Sequence, residues 1–391
     1  MYWSEIKYQP ERTRTYLGSP SIVRLPDGAL LASHDYFGPG CPRNHEAEES
    51  LNSIYRSEDN GATWQNITHI MNCYWSSLFV HEGSVYTLGT SQQYGSIYIR
   101  RSDDGGFTWT HPSEPAKGLL FKGGFYHDPP SYHCAPVPVL VHNGRIYKAF
   151  EDCDPCIWGI GFQACVISAP VDADLLDAAN WTMSNKIAFD PAWAAHWGER
   201  PGFREGNVVA DPDGQLWDIL TFEVEPLFEE KAARIKIEDD GKRISFDPAS
   251  GFFDFPGGKA KFSIRRDPVT GKYLSLVNNL ADVDLLKELA NLPDNQKTRV
   301  HRHHVARQRN VMSLTVSDNL WDWRVVMELM RDDTGLSPED SIKLTGFQYV
   351  DWQFDGDDII YAVRTAYRGA LNFHDSNRII YRVLKDFRSL L

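Results

Sequence analysis

Six times along the chain an apolar run of strand length meets a turn centred on glycine, and a second apolar run follows. The turns are Pro26-Asp27-Gly28, His81-Glu82-Gly83, His142-Asn143-Gly144, Pro212-Asp213-Gly214, Val269-Thr270-Gly271 and Phe354-Asp355-Gly356. Flanking segments such as Ser21-Ile22-Val23-Arg24 and Ala29-Leu30-Leu31-Ala32 are short and bounded by turn formers, which predicts strands. Successive glycines stand 55, 61, 70, 57 and 85 residues apart. A four-stranded blade needs about 40–50 residues plus loops, so this spacing predicts six blades of a propeller. The radial arrangement leaves only short, protected sheet edges. No Pro/Gly/Ser-rich linker divides the 391 residues, so the expected fold is all-β, a single six-bladed β-propeller domain over 1–391. The widest interval carries apolar residues at helical spacing, and a short helical insertion is expected near 282–291.

Two octets repeat more closely. Ser57-Glu58-Asp59-Asn60-Gly61-Ala62-Thr63-Trp64 and Ser102-Asp103-Asp104-Gly105-Gly106-Phe107-Thr108-Trp109 both fit S-x-D-x-G-x-T-W, and each follows a strand-like run. The chemistry suits a turn: the Asp carboxylate accepts turn amides, Gly supplies positive φ, and Trp fills the space beneath. This octet is the Asp-box, or BNR repeat, and through it the chain resembles the sialidase superfamily of β-propellers. Weaker echoes stand at Ser168 with Asn180-Trp181, and at Ser317-Asp318 with Trp321 and Trp323. The box is structural in that family, so it supports the fold and not the reaction.

Net charge is −13, which argues against a phosphate-backbone partner; anionic ligands need a local gathering of basic groups. No apolar stretch approaches the roughly 20 residues of a membrane-spanning helix. The N-terminus shows no basic-then-apolar signal, and a cytoplasmic location is the expectation. The chain is rich in aromatic rings, 12 Trp, 17 Tyr and 20 Phe, which pack cores and also stack on sugar faces. Cys153-Asp154-Pro155-Cys156 lacks the second pair that a four-ligand metal site needs, and the His-rich run 301–304 lacks a carboxylate at ligand spacing. No metal and no cofactor is implied. Oligomeric state is open.

In a propeller the innermost strands line a central channel, and ligands bind at one mouth of it. The strand before each glycine turn should be the inner one, so polar residues near its start are site candidates. They are Ser19, with His34 and Asp35 ending the next strand; Ser76 and Ser77; His133; Arg204, Glu205 and Asn207; Lys261; and Tyr349 with Asp351. A loop carrying Arg364, His374, Asp375 and Asn377 can bind sugar hydroxyls or cap itself. The loop 44–49 and the basic run 299–307 can reach the mouth or lie in solvent.

The resemblance implies more. Sialidases hold a carboxylate with three arginines and use a Tyr nucleophile with a Glu partner and an Asp acid/base. Here Gly18-Ser19-Pro20 stands where the first arginine would be, and Thr221 where the second would be; Arg309 matches the third. Glu205 and Tyr349 lie on strands that look like the nucleophile pair. A Tyr whose proton passes to Glu can attack a sugar, the known exception to two-carboxylate glycosidases. Losing two bidentate arginine contacts argues against sialic acid.

Three readings follow. The first is a glycoside hydrolase acting exo on an oligosaccharide other than a sialoside. Tyr349 is its nucleophile, Glu205 the proton acceptor and Asp35 the candidate acid/base. Arg309, Arg364 and Lys261 would hold a uronate-type acid, with Arg204, Asn207, Asp351 and His374 as further contacts. The second is a lyase on the same fold, in which His133 or Tyr349 removes a proton α to a carboxylate. The third is a non-catalytic sugar-binding propeller.

Overall fold

The structure is a computed structural model and describes residues 2–42, 50–125, 128–194, 202–224, 228–293 and 305–391. The loop 44–49 and most of the basic run, through 304, lie outside the described residues.

Six antiparallel sheets follow one another around an axis, and each is a blade. Blade 1 runs outward through Tyr16–Arg24, Leu30–Phe37, Leu51–Ser57 and Gln65–Met71. Blades 2 to 5 repeat this order, with inner strands Tyr74–His81, Tyr132–His133 continued by Leu140–His142, Phe203–Ala210, and Ile264–Arg266. Blade 6 starts at Gly346–Asp355 and takes its outermost strand, Ser4–Tyr8, from the N-terminus. That pairing, Ser4 opposite Tyr381, closes the circle. All six glycine turns join an inner strand to the second strand of its blade. The helix of the fifth-blade insertion spans Val283–Ala290.

The core is divided into wedges between blades. Leu17, Ile22, Ile360 and Ile379 fill the seam between blades 6 and 1; Leu276, Leu314, Trp352 and Tyr361 fill that between 5 and 6. Strand residues alternate sides, so each sheet feeds two wedges. Nearer the axis, buried polar side chains join every neighbouring pair of blades. Leu78 N–H donates to Ser21 Oγ (2.9 Å), and Ser77 Oγ donates to the Val137 carbonyl (2.7 Å). Gly206 N–H donates to Glu151 (3.2 Å), and Asn207 donates to the Phe262 carbonyl (3.1 Å). Lys261 Nζ donates to the Val350 carbonyl (2.6 Å), and Ser21 Oγ donates to Asp351 (2.8 Å).

The two octets form matching turns between third and outermost strands. Asp59 accepts from Ser57 Oγ, Thr63 N–H and Thr63 Oγ1, and Asp104 does the same for Ser102 and Thr108. Trp64 and Trp109 each donate Nε1–H to the turn glycine carbonyl. In blade 5 Asn319 replaces the Asp, and Leu320 holds φ +77° where Gly61 holds +84°.

Candidate active site

Four of the six inner strands carry a β-bulge. The register slips between Leu17 and Pro20, Tyr74 and Ser77, Arg204 and Asn207, and Gln348 and Asp351. In three of these the bulged residue has positive φ: Trp75 (+46°), Glu205 (+57°) and Tyr349 (+52°). A bulge bends its strand and re-aims a side chain. All three re-aimed side chains line cavities at one mouth of the channel.

One cavity, about 260 Å³, is lined by Glu205, Tyr349, Lys261, Arg204, Arg309 and His374, with Glu223, Lys259, Arg307 and Trp158. Glu223, just beyond the second strand of blade 4 (Leu216–Phe222), forms ion pairs with both Arg204 and Arg307. Burial lowers the affinity of Lys259 and Lys261 for their protons, to a pKa of about 8 in each case; carboxylates, Glu230 for Lys259 and Asp351 for Lys261, oppose the shift. Arg309 is buried, its Nε without a partner, and it is destabilised as a cation mainly by burial. Burial, then the charge of Glu205, raises the Tyr349 hydroxyl to about 12; Arg364, Arg309 and Arg204 pull the other way. The Arg364 guanidinium lies over the Tyr349 ring, 4.8 Å from its centre.

A second cavity, about 460 Å³, adjoins the first through Tyr349, Trp158 and His374. Its remaining walls are Phe37, Tyr74, Trp75, Gln93 and Arg364, with Gly38 and Pro39. Arg364 is held in place, donating to the His374 carbonyl (2.7 Å) and lying over Phe37.

The remaining candidates fall elsewhere. Asp35 is buried next to the Gly18 backbone, where any Cβ would collide with its carboxylate. Neither oxygen makes a well-formed hydrogen bond. Burial drives its pKa up to about 7, against the pull of Arg364 and the nearby amides of Trp75 and Ser19. His133 is fully buried and lines neither cavity. Its Nδ1 meets Glu151 at 2.7 Å, while Trp75, Trp158 and Phe162 enclose the ring. Asn207 and Asp351, expected at the mouth, instead face neighbouring blades: Asp351 also accepts Ile22 N–H (2.9 Å). The bulge explains this, because one extra residue reverses which side of the strand faces the mouth. Where Thr221 stands in place of a family arginine, its hydroxyl donates to the carbonyl of Arg204, the residue opposite it on the adjacent strand.

Sequence reasoning missed Trp75, Trp158, Glu223 and Lys259. Glu223 carried a usable signal, two residues beyond Thr221 at the same strand end. Trp158 had none beyond its place after the CxxC pair.

Neither family sequence models nor curated protein sequences match the chain. Solved structures do. The α-L-arabinanase of Penicillium chrysogenum, solved with arabinobiose, is 15% identical at TM-score 0.59, covering 100% of this chain and 99% of that one. The Hadza microbial sialidase Hz136 is 14% identical at TM-score 0.59, over 98% of this chain and 68% of its own. The GH93 α-L-arabinofuranosidase of Fusarium graminearum, in complex with arabinobiose, is 12% identical at TM-score 0.57, over 98% of each chain. At such identities the likeness is one of fold. The chain is a six-bladed β-propeller of sialidase-like architecture, a scaffold that these glycoside hydrolases share.

Proposed function

We propose that the protein is a glycoside hydrolase that acts exo on an oligosaccharide other than a sialoside, with a uronate-type acid at the terminal position. The observation that carries this reading is the convergence of two bulged residues, Glu205 and Tyr349, on one cavity rich in cations. Strained backbone concentrates where a side chain must be aimed. In a chain of net charge −13, the gathering of Arg204, Lys259, Lys261, Arg307 and Arg309 favours a carboxylate ligand.

In this reading the Tyr349 hydroxyl attacks the anomeric carbon. Its proton passes to Glu205 as the bond forms, which removes the repulsion between carboxylate and developing phenolate. No hydrogen bond joins the two groups directly, so the transfer uses one intervening water or the tightening that substrate binding brings. Arg309 and Arg364 favour the phenolate. Asp35, the acid expected from the sequence, is fully buried and lines neither cavity, so the leaving oxygen takes its proton from water at the mouth. Water then releases the sugar from Tyr349.

A lyase reading keeps one favourable observation: the same arginines that favour a Tyr349 phenolate would also steady an enolate-like charge. His133 is a poor base for it, enclosed by three rings. The test is turnover of acidic oligosaccharides by wild type and Tyr349→Phe. Loss of roughly 10³-fold or more in kcat is expected; undiminished turnover in the variant overturns the nucleophile assignment. Ultraviolet absorbance from an unsaturated uronide would replace hydrolysis by elimination.

A further inference from the structure

Resting on the reading above, we propose that the aromatic cavity is the subsite for the leaving group. Its occupant is a neutral sugar ring stacked on Trp158, so the substrate joins an acidic terminal unit to a neutral one.

The two cavities differ in kind. Among the described residues the first draws five cations and two carboxylates, and the second has Arg364 and His374 as its only ionisable side chains besides the tyrosines. Arg364 is already committed to a carbonyl and two ring faces. The other described side chains of the wall are Phe37, Pro39, Tyr74, Trp75 and Trp158, with the Gln93 amide. Aromatic faces with few polar groups suit a neutral ring, whose C–H face stacks while its hydroxyls find amides and water. The volume of about 460 Å³ lies within the range of small-molecule sites, roughly 300–1,000 Å³. Tyr349, the proposed nucleophile, stands on the boundary, where the bond to be broken would lie.

Trp158 is the residue that fits the platform role. Trp75 is 9% exposed, locked against Tyr74 with ring centres 4.7 Å apart. Trp158 is 43% exposed, and Ile157 and Ile160 beside it are each 53% exposed. An exposed indole on a loose loop would offer little. This loop is tight: Asp154 N–H bonds the Gly161 carbonyl and Gly161 N–H bonds the Ile157 carbonyl, both at 2.9 Å. Gln163 also holds the Asp154 carbonyl (2.9 Å). The indole stands steeply to Phe162 and Trp75, with ring centres 5.2 and 6.3 Å away, and the Arg204 guanidinium lies over it, 5.7 Å from its centre. Its orientation is therefore set before a ligand arrives, which saves the ordering entropy of binding.

The experiment is saturation-transfer NMR on the full chain with two probes. One is glucuronate. The other is a set of neutral methyl glycosides of glucose, galactose, xylose and rhamnose. Glucuronate should bind more weakly in 0.5 M NaCl, and at least one neutral glycoside should bind with little salt dependence, without displacing glucuronate. Trp158→Ala removes a half-exposed side chain, and Trp158→Phe keeps a ring. The first should weaken the neutral glycoside about tenfold, and more than it weakens glucuronate, whose cavity Trp158 also borders, while the second restores most of the neutral binding. If no neutral glycoside binds, or if binding survives Trp158→Ala, the leaving-group assignment is overturned although glucuronate binding stands. If glucuronate itself fails to bind, the underlying acidic-substrate reading fails first.

Discussion

Replacing Asp35 by Asn tests the electrostatics of the buried layer behind Arg364 with a side chain of the same shape. The fold holds Asp35 with its proton up to about pH 7, whereas an unfolded Asp releases it near 3.9. Burial is the main cause and Arg364 the main opposing charge. The sign follows from proton counting. Below about pH 4 both states are protonated and the native contacts are undisturbed. Between about 4 and 7 the unfolded chain ionises while the native chain keeps its proton, so stability falls as pH rises; above 7 the native carboxyl ionises too and the loss is complete. At about 1.4 kcal/mol per pH unit the full loss is on the order of 4 kcal/mol, of which about 3 kcal/mol falls between pH 5 and 8. Asn has the same shape and no charge at any pH. The variant should therefore gain about 3 kcal/mol relative to wild type between pH 5 and 8, in urea unfolding followed by tryptophan fluorescence. Asp218 is also buried and pushed upward, but it is present in both proteins and cancels in the difference. A stability difference that stays constant across this range would refute the buried, protonated carboxyl.

Two further outcomes follow. Lys259 and Lys261, which release their protons near pH 8, supply two of the cations around the first cavity; titration calorimetry should find glucuronate affinity falling through pH 8 while that of a neutral glycoside holds. Gly61 has φ +84°, and a Cβ there would collide with the Tyr381 ring across the closing seam; Gly61→Ala should cost at least about 2 kcal/mol and lower the melting temperature.

The architecture was legible because its signals are local. A glycine turn between two apolar runs needs only a dozen residues, and all six such turns join first to second strands. The octets were equally legible, down to the Asp carboxylate that accepts turn amides. Site residues divide differently. Glu205 and Tyr349 sit on strands whose turns located them, so their approach to one mouth could be inferred. Asn207 and Asp351 could not be separated from them, because one bulged residue reverses the phase of a strand, and a Tyr or Glu in left-handed conformation carries no local mark. Trp158, Glu223 and Lys259 reach the mouth from loops and strand ends, where long-range packing sets direction.

Those bulges raise a question of energy. Each non-glycine residue in a left-handed conformation costs about 1–3 kcal/mol, and three of them stand at bulges of the inner strands. Such strain persists only where the surroundings over-determine it. The polar bridges supply that constraint. Gly206, adjoining the strained Glu205, is tied to Glu151; Val350, adjoining Tyr349, receives Lys261; Ser77, two residues from Trp75, is tied to Val137. Each strained residue thus has a bonded anchor within two positions, and every anchor crosses to another blade. A bulge could relax only by breaking a buried hydrogen bond, leaving a donor or acceptor unpaired at about 1–3 kcal/mol. The two costs are alike in size, so neither the strain nor the bridge can be lost alone at a profit. It follows that the aim of Glu205 and Tyr349 depends on closure of the whole ring, and that a lesion at a seam between blades should disturb the mouth before it unfolds the chain.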